Sequence, residues 1–215
     1  MLSQILNRNM KKTGGVKNYM TPYIDRIISL FHKLEESASN DCYEALIRLE
    51  FPKGSYLVRE GSVPRYIWFI QEGLARRFIN KDGVEVTQHF FCAGEFVFLY
   101  ENAVFVTPTA QNIQFLEDSV VYAVRWDILE SMKTKYPLIN QIEIVILASY
   151  VGWLEKKMNL CQHASAKKRY QYLMEMQPHL VDMVPHHYIA SYLDITRETL
   201  SRIRAEYKNE LQFKC

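Results

Sequence analysis

The chain has 215 residues, of which 48% are hydrophobic and 23% charged, with 14 Tyr and 11 Phe. Such a balance belongs to a globular protein of one large or two ordinary domains and excludes a fibrous or disordered chain. The net charge is only +2. No stretch of roughly 18 uncharged apolar residues suggests a membrane span, and no secretion-type leader begins the sequence, so the expected setting is cytoplasmic, without membrane contact.

Residues 1–20 carry Arg8, Lys11, Lys12 and Lys17 and no acid. With Gly14-Gly15 they read as a flexible basic arm. Pro22 to Leu34 show helical periodicity, and a second short helix is expected near 40–49. From 51 to 126 the rhythm changes to short runs rich in aromatic and β-branched residues, such as Tyr66-Ile-Trp-Phe-Ile70 and Ser119-Val-Val-Tyr-Ala-Val124. Glycines at 54, 61, 73, 83 and 94 punctuate them, and Asp82-Gly83 is a hairpin signal. Many short strands at this spacing imply a β-sandwich or barrel.

A helical period returns from 127 to about 161. Pro137 suits a first helical position, and about 24 residues at 1.5 Å each make a helix of roughly 36 Å. It has two apolar faces: Ile139, Ile142, Ile146, Ser149 and Trp153 on one, and Val145, Leu147, Val151, Leu154 and Met158 on the other. Two apolar faces imply two partners, the β-domain and the same helix of a second subunit. The 139–153 face is assigned to the dimer interface. The domains are therefore read as a sensor over 21–135, a dimerisation helix over 136–162 and a DNA-binding domain over 163–215.

Tyr188 to Arg204 reads as two short amphipathic helices around a tight turn. Ile189, Ala190 and Leu193 face inward from the first, Leu200 and Ile203 from the second. Thr196 stands at an N-cap position. Asp194 occupies the turn, where a left-handed residue is wanted and Asp is tolerated. This is the layout of a helix-turn-helix, whose second helix enters the DNA major groove. Arg197 and Arg202 suit guanine, Glu198 suits cytosine, Ser201 a base or phosphate, Thr196 a phosphate, and Arg204 the DNA backbone.

Cys42, Cys92, Cys161 and Cys215 form no C-x-x-C pair, and no His stands at finger spacing, so neither a disulfide framework nor a metal site is expected. No nucleophile elbow, Walker loop or metalloprotease motif is present, so no enzyme activity is expected.

From Phe51-Pro-Lys-Gly-Ser-Tyr-Leu-Val-Arg-Glu-Gly61 through Arg65-Tyr-Ile-Trp-Phe69 to Tyr188-Ile-Ala-Ser-Tyr-Leu and Ile195-Thr-Arg-Glu-Thr-Leu-Ser-Arg202, the chain resembles the CRP/FNR family of transcription regulators, the Bacteroidetes-type members above all. The resemblance covers about residues 22–210. It implies an α+β fold: an N-terminal β-roll (jelly-roll) of the cyclic-nucleotide-binding kind, a long dimerisation helix and a C-terminal winged helix-turn-helix. Too few residues follow the second helix for the family's usual wing. The implied function is a homodimer reading a pseudo-palindrome on double-stranded DNA, with RNA polymerase and a small-molecule effector as further partners. The implied effector pocket comprises Gly94, Glu95, Phe96, Pro108, Thr109 and Ala110. Gly94-Glu95 matches the family's phosphate cassette, but Pro108 stands where its arginine belongs. Cyclic AMP and other cofactors are therefore not expected, and the aromatic stretch Phe90 to Phe105 suits an apolar or unknown effector. The alternative is a sensor or scaffold that does not bind DNA.

Overall fold

The structure, a computed structural model, describes residues 21–212; the basic arm over 1–20 lies outside them. Two helices lead, α1 (Thr21–Phe31) and α2 (Glu36–Glu44). Eight strands follow: β1 (Ile47–Phe51), β2 (Tyr56–Val58), β3 (Tyr66–Glu72), β4 (Leu74–Lys81), β5 (Val84–Cys92), β6 (Phe96–Val97), β7 (Gln111–Phe115) and β8 (Ser119–Arg125), with α3 (Tyr100–Phe105) between the sixth and seventh. The rest is helical: α4 (Trp126–Lys135), α5 (Pro137–His163), α6 (Ala166–Met176), α7 (Pro178–Met183), α8 (His186–Tyr192) and α9 (Arg197–Gln212).

The strands form two four-stranded antiparallel sheets, ordered β1-β8-β3-β6 and β2-β7-β4-β5. Alternation along each strand sends one set of side chains into the roll. Trp68, Ile70, Ala75, Phe91, Val97, Ile113, Phe115, Val121 and Ala123 fill that core. Asp82 and Gly83, at φ 54 and 81, close the β4–β5 hairpin with the positive φ pair that two-residue turns require.

The helix expected near 40–49 ends earlier. Residues 47–51 form a strand instead, because Ile47, Leu49 and Phe51 alternate with Arg48 and Glu50, and the latter two pair at 2.5 Å on the outside. Gly73 is the corner where the chain passes from one sheet to the other. Its φ is +111, and a Cβ there would fall 2.0 Å from Ser119 Oγ and 2.8 Å from Ser119 Cα. Gly73→Ala should therefore cost about 3 kcal/mol, from the strained φ and the overpacked corner together, measured as a lower urea midpoint.

The long helix α5 is where sequence expectation and structure part. Ile139, Ile142, Ser149 and Trp153 are buried within a single chain, with Ile146 packed against the α1–β3 cluster. The face assigned to the subunit interface therefore covers the chain's own sensor domain. What remains open is the other stripe. Ile144, Val151 and Met158 are exposed, Leu147 and Leu154 are half-buried, and Cys161 is exposed. These six positions alternate in steps of three and four, the seam of a two-stranded coiled coil. By length and composition alone α5 is also apolar enough to cross a membrane. A buried core face and an exposed apolar stripe on one helix account for that apolar character.

Candidate nucleic-acid interface and sensor pocket

The α8–α9 pair is held by local chemistry that the sequence dictates. Asp194 adopts φ 52. The Ile195 N–H reaches the Ala190 carbonyl at 3.0 Å and the Asp194 N–H reaches Ser191 at 3.2 Å, which is the Schellman closure of a helix. From α6, Arg169 Nε donates to the Leu193 carbonyl at 3.0 Å and its Nη2 to Asp194 at 3.4 Å, so the turn's free carbonyls are satisfied. Thr196 caps α9, accepting the Thr199 N–H at 3.2 Å. Ile189, Ala190, Leu193, Leu200 and Ile203 are buried together with Tyr170, Leu173 and Leu180.

That packing leaves Arg197, Glu198, Ser201 and Arg202 exposed on one edge of α9. The Glu198 carboxyl is held below its ordinary range by its own backbone N–H and by the Thr196 hydroxyl, so the edge carries a fixed negative charge between two arginines. Arg204 does not join them. It is half-buried and its Nη1 meets His186 Nε2, which ties α9 to α8. No strand follows α9 among the described residues.

The pair is docked on the sensor. The Thr87 N–H donates to Ser191 Oγ at 2.9 Å, and the Ser191 hydroxyl reaches the Glu85 carbonyl at 3.3 Å. Arg76, wholly buried, lies 3.6 Å over the Tyr188 ring and pairs with Glu85 at 2.5 Å. An open cleft remains between the β4–β5 tip and the start of α9, with Gly83, Glu85, His187, Ser191 and Arg197 on its walls.

The effector residues expected from sequence do not converge. Glu95 is buried at 1% exposure, and its Oε2 accepts the Cys92 N–H at 3.0 Å and lies 3.8 Å from His89 Nε2. Thr109 is buried and accepts the Gln111 N–H at 3.1 Å, while Pro108 and Ala110 are exposed. Phe96 points to the opposite side of the sheet from Val97 and Glu95 and packs tilted against Phe69, ring centroids 5.1 Å apart. The space beside Glu95 is filled. His89 sits 4.4 Å from Phe91 and 4.2 Å from Trp153, and Arg77 Nη2 donates to the Tyr150 hydroxyl at 3.1 Å. Burial holds His89 neutral, far below its ordinary range, aided by the charges of Arg77 and Lys157. Lys157 is itself lowered to about 8, by burial first and Arg77 second. A cyclic nucleotide does not fit these residues: the carboxylate that would take a ribose hydroxyl is already engaged, and no cation stands at position 108.

Among the described residues no three His, Cys, Asp or Glu side chains gather as a metal site. Sequence reasoning missed Arg76, Arg77 and Lys157, because charged residues on strands and helices ordinarily read as exposed.

Residues 48–136 match the family of cyclic nucleotide-binding domains. The chain has the fold of the CRP/FNR regulators. A CRP/FNR-family transcriptional regulator of Eubacterium rectale superposes with TM-score 0.66 at 15% identity, covering 86% of this chain and 88% of that one. Bradyrhizobium japonicum FixK2 gives 0.64 at 21% identity over 77% and 85%. The Catabolite Activator Protein of Thermus thermophilus gives 0.52 at 20% identity over 84% and 87%. No curated protein matches the chain by sequence.

Proposed function

We propose that this protein is a transcription regulator that binds a pseudo-palindromic DNA site as a homodimer and does not depend on a cyclic nucleotide. The observation that carries the reading is the capped, exposed edge Arg197-Glu198-Ser201-Arg202 on a helix whose opposite face is buried. Bidentate arginine contacts to guanine and a glutamate contact to cytosine are what such an edge offers a major groove. The 144–161 stripe of α5 supplies the pairing that duplicates it, and two reading helices about one DNA turn apart, roughly 34 Å, then address two half-sites. The fold neighbours support the same reading.

Selection of bound DNA from a random pool tests this directly, and a palindromic consensus is expected. Arg197→Ala should relax preference at one base pair per half-site, a loss of about 1–3 kcal/mol of discrimination. Affinity for the selected site should fall steeply with salt, with a slope of about −0.9 per phosphate contact. A scaffold that does not read DNA would give no consensus and no slope.

A further inference from the structure

Two helix ends meet at one side chain. After α5 the chain passes through Ala164 and Ser165 in extended conformation, at φ −98, ψ 141 and φ −63, ψ 158, before α6 begins. After α8 come Leu193 and the left-handed Asp194. The last carbonyls of a helix have no partner within it and carry its negative pole.

Arg169 serves both ends. Its Nη1 donates to the Ala164 carbonyl at 3.0 Å, Nε to Leu193 at 3.0 Å and Nη2 to Asp194 at 3.4 Å. All three guanidinium nitrogens are engaged. A planar fork reaches carbonyls in fixed, separate directions, which the single nitrogen of a lysine does not. Tyr170 and Leu173, on the same helix, share a core with Leu193, Leu200 and Ile203, so the arginine belongs to the same packed unit as the reading pair. Its bond to Ala164 reaches back across the two-residue joint to the end of α5. Apolar packing at that joint is incomplete. A void of about 40 Å³ remains there, with Leu160 of α5, Arg169 and Leu193 among its walls. The ties at Ser191 and Tyr188 run to the sensor strands rather than to α5.

We propose that Arg169 is a positioning residue: by bonding the joint at Ala164 and the turn at Leu193 and Asp194 with one guanidinium, it fixes the angle at which α9 stands to α5. In a pair of chains joined along α5 that angle sets the separation of the two reading edges, and so the half-site spacing. The consequence for spacing rests on the DNA-binding reading; the angle itself does not.

Two measurements on the full chain test it. The first is a gel-shift series on operators with identical half-sites and a spacer lengthened or shortened by one base pair. Each base pair turns one half-site by about a tenth of a helical turn. The wild-type chain is expected to bind its preferred spacing about a hundredfold more tightly than either neighbour, the advantage of engaging both half-sites. Arg169→Lys, which keeps the charge and loses the fork, should bring that ratio below about tenfold while the half-site consensus stays the same. Arg169→Gln serves should the lysine variant fail to fold, and Lys168→Gln, at an exposed neighbour, should behave as wild type. The second measurement needs no DNA. Probes at Glu155 of α5 and Asn209 of α9, both exposed, in labelled chains diluted with unlabelled ones, should report one narrow distance in the wild-type chain and a broad range in Arg169→Lys. The proposal is overturned if a folded Arg169 variant keeps both the spacing ratio and the narrow distance. It is overturned equally if affinity falls by the same factor at every spacing, or if the wild-type chain binds its operator without spacing preference. A wild-type chain that binds no DNA sinks the regulator reading instead, and the distance measurement alone then decides the role of Arg169.

Discussion

Val151→Glu is expected to turn a dimer into a monomer and to lower affinity for a two-half-site operator at least a hundredfold. Val151 is exposed in the single chain and lies midway along the stripe Ile144, Leu147, Val151, Leu154, Met158, Cys161. In a parallel pairing of two such helices the same position meets itself across the seam. Glutamate there would bring two carboxylates together in a desolvated contact, where like charges repel and neither finds a cation. Loss of pairing leaves one reading helix per particle, and the second half-site then no longer binds at high effective concentration, an advantage of roughly 10²–10⁴. The variant's own fold should be little affected because residue 151 is exposed in the single chain. Sedimentation, a gel-shift titration and a thermal melt together separate these effects. Cys161 is exposed on the same stripe and carries a free thiol, so mild oxidation should yield a covalent dimer in the wild-type chain and far less in Val151→Glu. A wild-type chain that sediments as a monomer would remove this seam from the regulator reading.

Much of the architecture is legible from residue spacing. Asp82-Gly83 demands its turn, Pro137 opens α5, and the Ile189–Ile203 pattern with Thr196 before it yields the helix pair. The misassigned face of α5 shows where spacing runs out. Both of its apolar stripes share one period, so periodicity alone cannot say which meets the roll and which meets a second subunit. The distinguishing signal is size and polarity. Trp153 is a bulky side chain suited to a particular wall of the roll, here His89, whereas Ile144, Val151 and Met158 present a uniform, exposed apolar surface. The sensor interior was hidden for another reason. A register shift lies between Arg77 and Phe78, and buried cations such as Arg76 contradict the average behaviour of arginine.

Trp153→Ala is expected to cost about 4 kcal/mol, the typical cost of deleting a buried indole. The ring is 5% exposed, lies 4.2 Å from His89, stacks on Tyr150 at 5.5 Å and has Lys157 Nζ 5.3 Å from its centroid. It therefore joins the long helix to the buried His89 of the roll. Its removal has a second consequence that a mere cavity would not produce. In the wild-type fold His89 is held neutral, with its pKa well below the ordinary 6.5. The unfolded chain takes up a proton as the pH falls through 6.5 and the folded one does not, so this residue's share of stability is present above that value and is lost below it. Without the indole, water reaches His89 and its pKa returns toward normal, which shrinks the difference between the two states. Urea unfolding at pH 7.5 and 5.5 should show the wild-type chain losing stability on acidification and Trp153→Ala, weaker at both values, losing less. Equal acid sensitivity in the two chains would mean that something other than this ring keeps His89 dry, and a cost under about 1 kcal/mol at pH 7.5 would mean that α5 is not keyed to the roll through Trp153.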